Sequence, residues 1–333
     1  MKIGSESPYF DDLDVGDIYE DTPPITMTEG LAAVHQSIVG DRLRLFLDHE
    51  LCNAVTNRSV SLVSPSLIWD IAIGQSTTAT HRVIANLFYR GLGFRRFPEI
   101  GDTLRTRTEV AGLRQTSARP GRETRGLAAL RITSVDQHNR IVLDFWRCAM
   151  LPLRNPGTST GRADDLETIG DAVLPERFLD AVRTWDLVPF RDSLRPHVPR
   201  DLPSGTVLPV IGGDVVSNAP ELARLTLNIA QVHHDDFTGS RLVYGGHTIA
   251  LALTQAARIL PELVTVVAWH GCDHLGPVHE GDTLTSEIIV EAEHTSLETS
   301  GRLVNLRSIV RARSGPGQET RPVLDWRYTA LLA

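Results

Sequence analysis

Cysteine is scarce in this chain of 333 residues: Cys52, Cys148 and Cys272 are three, an odd number, and lie far apart. That pattern excludes a disulfide framework and a CxxC metal or redox site, and makes a reducing cytoplasm the expected compartment. Positive charge is not in surplus either. Lysine and arginine total 33 against 41 aspartates and glutamates, for a formal net charge of -8, with both signs mixed along the chain. With no clustered basic face, nucleic acid is not an expected partner, although a few arginines can still hold one small phosphate. No apolar run reaches the roughly 20 residues needed to cross a bilayer, and the N-terminal region carries Asp11, Asp12 and Asp14 rather than a basic and then apolar leader. The expectation is a soluble, unprocessed protein without a membrane partner.

What the chain does have is a repeat. Leu62 to Gln75 aligns without a gap on Leu242 to Gln255; Gly101-Asp102-Thr103-Leu104 recurs as Gly281-Asp282-Thr283-Leu284, and Val142-Leu143-Asp144 as Val323-Leu324-Asp325. Three matches in the same order at a nearly constant offset indicate duplication, and two units are too few for a solenoid. The hydrophobic content of 41% is enough for one large core or two ordinary ones. Between them, Asn155-Pro156-Gly157-Thr158-Ser159-Thr160-Gly161 and the acidic Asp164, Asp165 and Glu167 form a stretch that buries little. The expected division is therefore 1–153, a linker at 154–175, and 176–333.

Both halves show the same order of signals. A capped helix is predicted over Thr28 to about Val39 and over Ser217 to about Val232. A polar loop follows, then a helix that is apolar on nearly every side, Pro65 to Gln75 and Gly246 to Leu260, and therefore buried. Four strand-like runs close each half: Arg82 to Tyr89, Asp102 to Val110, Gly126 to Val135 and Ile141 to Leu151; then Val264 to Trp269, Asp282 to Ala292, Gly301 to Ala312 and Pro322 to Leu331. Pro189 to Pro209 reads as irregular. The fold class is α+β, and one central helix wrapped by an antiparallel sheet in each half is the simplest packing.

The halves differ in their polar loops. The second reads Asn228-Ile229-Ala230-Gln231-Val232-His233-His234-Asp235-Asp236, followed by Arg241-Leu242-Val243-Tyr244-Gly245-Gly246-His247. The first, Asp41 to Asp48, has Phe46 where the second has His233. The second loop resembles the MaoC-like (R)-specific enoyl-CoA hydratases and dehydratases, whose hallmark is Asp, four residues, His, one residue, Asp, and then a glycine-containing helix start. Within that family it is most similar to the mesaconyl-CoA hydratases, also called β-methylmalyl-CoA dehydratases. The resemblance covers nearly the whole chain and implies two tandem hot-dog domains, an acyl-CoA substrate, no metal or redox cofactor, and a possible homodimer.

Carried over by position, the resemblance assigns His233 as the catalytic acid/base and places Asn228 where most members have an aspartate. An amide orients water through its oxygen but takes no proton, so His233 must be the main titrating group. Asp235 is the nearest candidate for a second acid/base, with Asp236 and His274 behind it. Gly245 and Gly246 stand at a helix start, where unpaired N–H groups and the helix dipole stabilise a developing thioester oxyanion, and Gly246 is the expected donor. Tyr244, Arg241, His274, Arg90, Arg95 and Arg96 are candidate substrate contacts, the arginines for coenzyme A phosphates. The first site reads as vestigial, since Phe46 and Pro65 replace the histidine and a glycine.

Plainer readings stand beside these. His233 to Asp236 are metal-ligand types, but four adjacent residues rarely converge on one ion and no distant HxxxH partner is present. Each arginine suits a solvated strand edge equally well. His247 is expected to be a hydrogen-bonded packing histidine, and Tyr244 serves equally as core filler. A hot-dog thioesterase and a decayed acyl-CoA-binding subunit remain as alternatives; the former normally needs a carboxylate on the central helix, and the second helix has none before Glu262.

Overall fold

The computed structural model describes residues 7–118, 120–121, 123–170, 178–196, 201–236, 239–294 and 301–333. Its organising element is one antiparallel sheet. In chain order the strands are β1 (Ile18–Tyr19), β2 (Ile25–Thr26), β3 (Ala85–Phe94), β4 (Thr103–Gln115), β5 (Arg125–Val135), β6 (Ile141–Pro152), β7 (Val207–Pro209), β8 (Asp214–Val215), β9 (Leu263–His274), β10 (Thr283–His294), β11 (Arg302–Arg313) and β12 (Arg321–Leu332). The sheet runs β1-β4-β5-β6-β3-β9-β12-β11-β10-β7, with β2 on β4 and β8 on β10. Adding six to each strand number of the first half gives the second half in mirrored order. The seam is the β3–β9 pair, in register at Tyr89 and Cys272, Leu92 and Trp269, and Gly93 and Ala268. Every long strand predicted from alternation is present, because a two-residue period places one face on the core.

The helices are α1 (Glu29–Val39), α2 (Arg44–Leu47), α3 (His49–Thr56), α4 (Pro65–Gln75), α5 (Val188–Ser193), α6 (Ala219–Leu225) and α7 (Gly245–Ile259). Helices α4 and α7 match the two all-apolar predictions, and every residue of α4 is buried. Both are tied to the sheet by the same device. Gln75 Nε2 donates to the Leu104 carbonyl and Gln255 Nε2 to the Leu284 carbonyl, at 3.3 and 2.9 Å, so each helix end satisfies an equivalent strand. Such bonds contribute on the order of 1 kcal/mol each. Between the repeats, Trp69 on α4 meets Trp269 and Trp326 on β9 and β12 edge to face, with centroids 4.9 and 5.9 Å apart. The core is continuous across both halves.

Four local differences from the sequence reading have simple causes. Strand β3 begins at Ala85 rather than Arg82 because the chain after α4 continues as a 3-10 helix, Ser76–Thr80. The helix expected to reach Val232 ends at Leu225: the Thr226 hydroxyl bonds back to the Leu222 carbonyl and Leu227 takes a left-handed φ of 57°, turning the chain. Within the stretch read as irregular, Val188–Ser193 is helical. Part of the expected linker is docked, with Ala163 bridged to Arg114 and Leu166 packed against Ala129 and Cys148. The remainder, 171–175, lies outside the described residues.

Candidate active site

The loop after α6 is shaped by its own polar groups. Asn228 is 2% exposed; its Oδ1 accepts the Ala230 amide at 2.9 Å and its backbone carbonyl pairs with His234 Nε2. This closes a turn that delivers His233 from a 3-10 segment, Gln231–His233. Asn228 is not part of the cavity wall that His233 lines. Its oxygen supports the loop through the Ala230 amide.

His233 is 8% exposed, and its Nδ1 lies 3.0 Å from the Leu242 carbonyl oxygen. A carbonyl only accepts, so Nδ1 carries the proton and Nε2 holds a lone pair. The ring packs beside Tyr244 with centroids 5.6 Å apart, and Tyr244 donates to the Asp70 carbonyl at 2.9 Å. Tyr244 is thus buried between the His233 ring and α4. Burial pushes the His233 pKa down to about 4, with the positive charge of Arg147 adding to the effect.

Nearby, α7 starts at Gly245 with Tyr244 as its N-cap. The first amides of a helix have no partner within it. Gly245 stands at the cavity wall, where an added Cβ would come 2.7 Å from His274 Nε2. Gly246, the donor expected from sequence, packs inward instead: its Cβ would lie 2.0 Å from Asp70 Oδ1. Gly245 is the one of the pair that lines the cavity, and both glycines lie in the first turn of α7, where the amides lack a partner within the helix.

His274, from the end of β9, brings a second imidazole into the same cavity. Its Nε2 is buried without a hydrogen-bond partner among the described residues, and burial lowers its pKa to about 4. The cavity has a volume of about 340 Å3 and is lined by His233, Gly245, Thr248, His274 and Asn86, with Val83, Val232, Val243 and Val278 among its apolar walls. Ala85, Leu275 and Pro277 are exposed and form its mouth. That size and mixture suit a small acyl group.

Other expected members are elsewhere. Asp235 lines a separate recess with His81, Arg82, Ile229, Gln231 and His234, because the turn at His234 carries it past the cavity; Asp236 is not at the cavity wall either. Arg90 donates to the Leu166 and Ile169 carbonyls at 2.9 and 3.0 Å and pairs with Glu167, anchoring the docked linker. Arg96 pairs with Asp136 and Asp102, and Arg241 with Glu280. Arg95 is half-buried beyond β3, its amide bonded to the Val142 carbonyl. None of these arginines lines the cavity. His247 is fully buried with neither ring nitrogen bonded among the described residues, contrary to the hydrogen-bonded role expected. The first repeat keeps a recess of about 330 Å3 holding Asp41, Phe46 and Ser64, which shares no lining residue with the His233 cavity.

Asn86, Thr248 and Arg147 were not singled out from sequence. Arg147 carries a readable signal: it sits on the inward register of β6 with Phe145 and Ala149, and the aligned position of the second repeat is Tyr328.

No protein-family model matches the chain. A conserved hypothetical protein from Mycobacterium tuberculosis, described as having a double hot-dog fold, superimposes with a TM-score of 0.90 at 53% identity, covering 98% of each chain. A MaoC-domain dehydratase from Chloroflexus aurantiacus superimposes with a TM-score of 0.82 at 23% identity, over 100% of this chain and 99% of that one. The chain belongs with the Mycobacterium tuberculosis double-hot-dog protein, 53% identical over nearly its whole length. It is also 27% identical to a β-methylmalyl-CoA dehydratase of Chloroflexus aurantiacus, over 97% of this chain and 96% of the relative. It is 26% identical to a mesaconyl-CoA hydratase of Cereibacter sphaeroides, over 86% and 84%. No helix among the described residues is long and apolar enough to cross a membrane.

Proposed function

We propose that the protein is a hydro-lyase that adds water to, or removes it from, a 2-enoyl-CoA. The observation that carries this reading is a neutral imidazole, His233, held with its Nε2 lone pair in the same cavity as the unpaired amide of a helix start at Gly245. Both hydratase and dehydratase relatives match over most of the chain.

In hydration, His233 Nε2 takes a proton from water as the water oxygen bonds to the β-carbon. The π electrons move to the thioester, forming an enolate whose oxygen is stabilised by the Gly245 N–H, an interaction of a few kcal/mol. The imidazolium then returns the proton to the α-carbon, so the ring ends as it began. Dehydration is the reverse, and one imidazole serves both directions. The net reaction is not a redox change, so it calls for no redox cofactor, and the carbonyl polarisation that a metal could supply is assigned to the Gly245 N–H. The free thiols, all three buried, suit a reducing cytoplasm.

The test is the loss of enoyl-thioester absorbance with mesaconyl-CoA and crotonyl-CoA as substrates. His233→Ala is expected to lower kcat by roughly 100-fold or more. Full activity in that variant, or turnover of neither substrate by the parent protein, rejects the assignment. Release of free thiol without loss of the double bond would point to a thioesterase.

A further inference from the structure

The cavity holds a second imidazole that the hydration chemistry leaves idle. His274 ends β9 and lines the same wall as His233, Gly245 and Thr248. Its Nε2 is buried, and the ring forms no hydrogen bond among the described residues. A buried polar atom without a partner costs about 1–3 kcal/mol, and native proteins rarely tolerate one without a use for it. The ring packs edge to face on Tyr89, with centroids 6.0 Å apart, so an apolar contact holds it in place.

Its position says what the ring meets. Nε2 lies 2.7 Å from the point where a Cβ on Gly245 would project, so a side chain at 245 would push the imidazole off the first residue of α7. The Gly245 amide and the His274 ring therefore border one spot at a helix start, where the dipole favours negative charge. Burial keeps the ring neutral, with its pKa lowered to about 4. A neutral imidazole still carries one N–H, which is too weak an acid to release its proton but is a full hydrogen-bond donor to a carbonyl oxygen.

A comparison of the two repeats points the same way. At the offset that aligns Gly101 with Gly281, His274 falls on Phe94, as His233 falls on Phe46 in the polar loops. One half has both imidazoles and the other has phenylalanine at both places, which suits two rings that serve one ligand. We propose that His274 is an electrophilic catalytic residue, whose Nε2–H and the Gly245 N–H together hold the thioester oxygen as negative charge develops on it. The balance of the hydration step is unchanged: His274 lends a hydrogen bond and keeps its proton, while His233 alone carries a proton from water to the α-carbon. A donor shut away from bulk water is worth more to such an oxygen than one in water. This inference rests on the hydro-lyase reading for the reaction but not for the binding of the carbonyl.

The experiment reads the carbonyl itself. Butyryl-CoA, which has no double bond to hydrate, is isotopically labelled at its thioester carbonyl, and the stretching frequency of the bound ligand is measured by difference infrared spectroscopy. In the parent protein the band is expected below its value in free butyryl-CoA. His274→Gln restores an N–H donor that cannot titrate and should keep most of that shift; His274→Leu fills the space without a donor and should lose most of it. With crotonyl-CoA or mesaconyl-CoA, His274→Leu should lower kcat by about 100-fold with much less change in KM, whereas His274→Gln should stay within about tenfold of the parent and keep its pH profile. A ring that only fills space would leave the band alike in all three proteins, and one that carries a proton would make His274→Gln as inactive as His274→Leu; either result overturns the proposal, as does failure of the parent to bind butyryl-CoA. A band shift that depends on His274, without turnover of either enoyl thioester, supports the donor and removes the hydro-lyase reading; turnover with a shift that is indifferent to His274 does the reverse.

Discussion

His233 Nδ1 and the Leu242 carbonyl oxygen lie 3.0 Å apart, and this one bond decides which nitrogen of the ring meets the substrate. With its pKa pushed down to about 4 by burial, the ring is neutral and already a base throughout the physiological range. For hydration, kcat/KM is expected to stay level from pH 8 to pH 5 and to fall only as pH approaches 4. Short assays after a pH jump check this, and an inflection near 6.5, the ordinary histidine value, would contradict it.

The two glycines at the start of α7 should separate activity from stability. Gly245→Ala brings a methyl group to 2.7 Å from His274 Nε2 at the cavity wall, so turnover should drop by about tenfold or more while unfolding changes little. Gly246→Ala drives a methyl group against Asp70 Oδ1 in the core, costing about 1–3 kcal/mol by overpacking. Urea unfolding beside steady-state kinetics distinguishes the two.

Asn228→Asp keeps the oxygen that accepts the Ala230 amide, so the loop should persist. Since this residue is away from the cavity wall, hydration activity is expected to change by less than about tenfold. A gain of several orders of magnitude would show instead that the side chain reaches the reacting water.

Acid should weaken the fold through three buried rings. His233, His247 and His274 each have a pKa near 4 when folded, against about 6.5 when unfolded. Between those values the unfolded chain binds more protons, so their stability contribution is complete above pH 6.5 and declines as pH falls. Each ring contributes a slope of roughly 1 kcal/mol per pH unit. His247→Leu, at a ring with no bonded nitrogen among the described residues, should reduce the measured slope by one ring's share. An unchanged slope would mean that His247 is not neutral in the folded state.

Much of the fold could be read in the sequence because its signals are local. Helices α4 and α7 are apolar on all sides, and the long strands alternate, so pattern alone located them. His233 stood out because the repeat supplies its own control, with Phe46 in its place. The arginines were misplaced for the opposite reason: Arg90, Arg96 and Arg241 are held by partners distant in sequence, which only the folded chain brings near. Asp235 shows that adjacency misleads, since two residues of turn carry it into another recess, whereas His274, 41 positions from His233, faces the same cavity.

The seam between β3 and β9 has an evolutionary consequence. In a dimer of identical hot dogs every residue change is made twice, once for each role it plays. Here Val83 and Asn86 come from the copy with Phe46 at the matching position, yet they wall the chamber in which the other copy's His233 sits. Covalent fusion lets the two copies diverge independently, and removing the first half would take away part of the wall around His233.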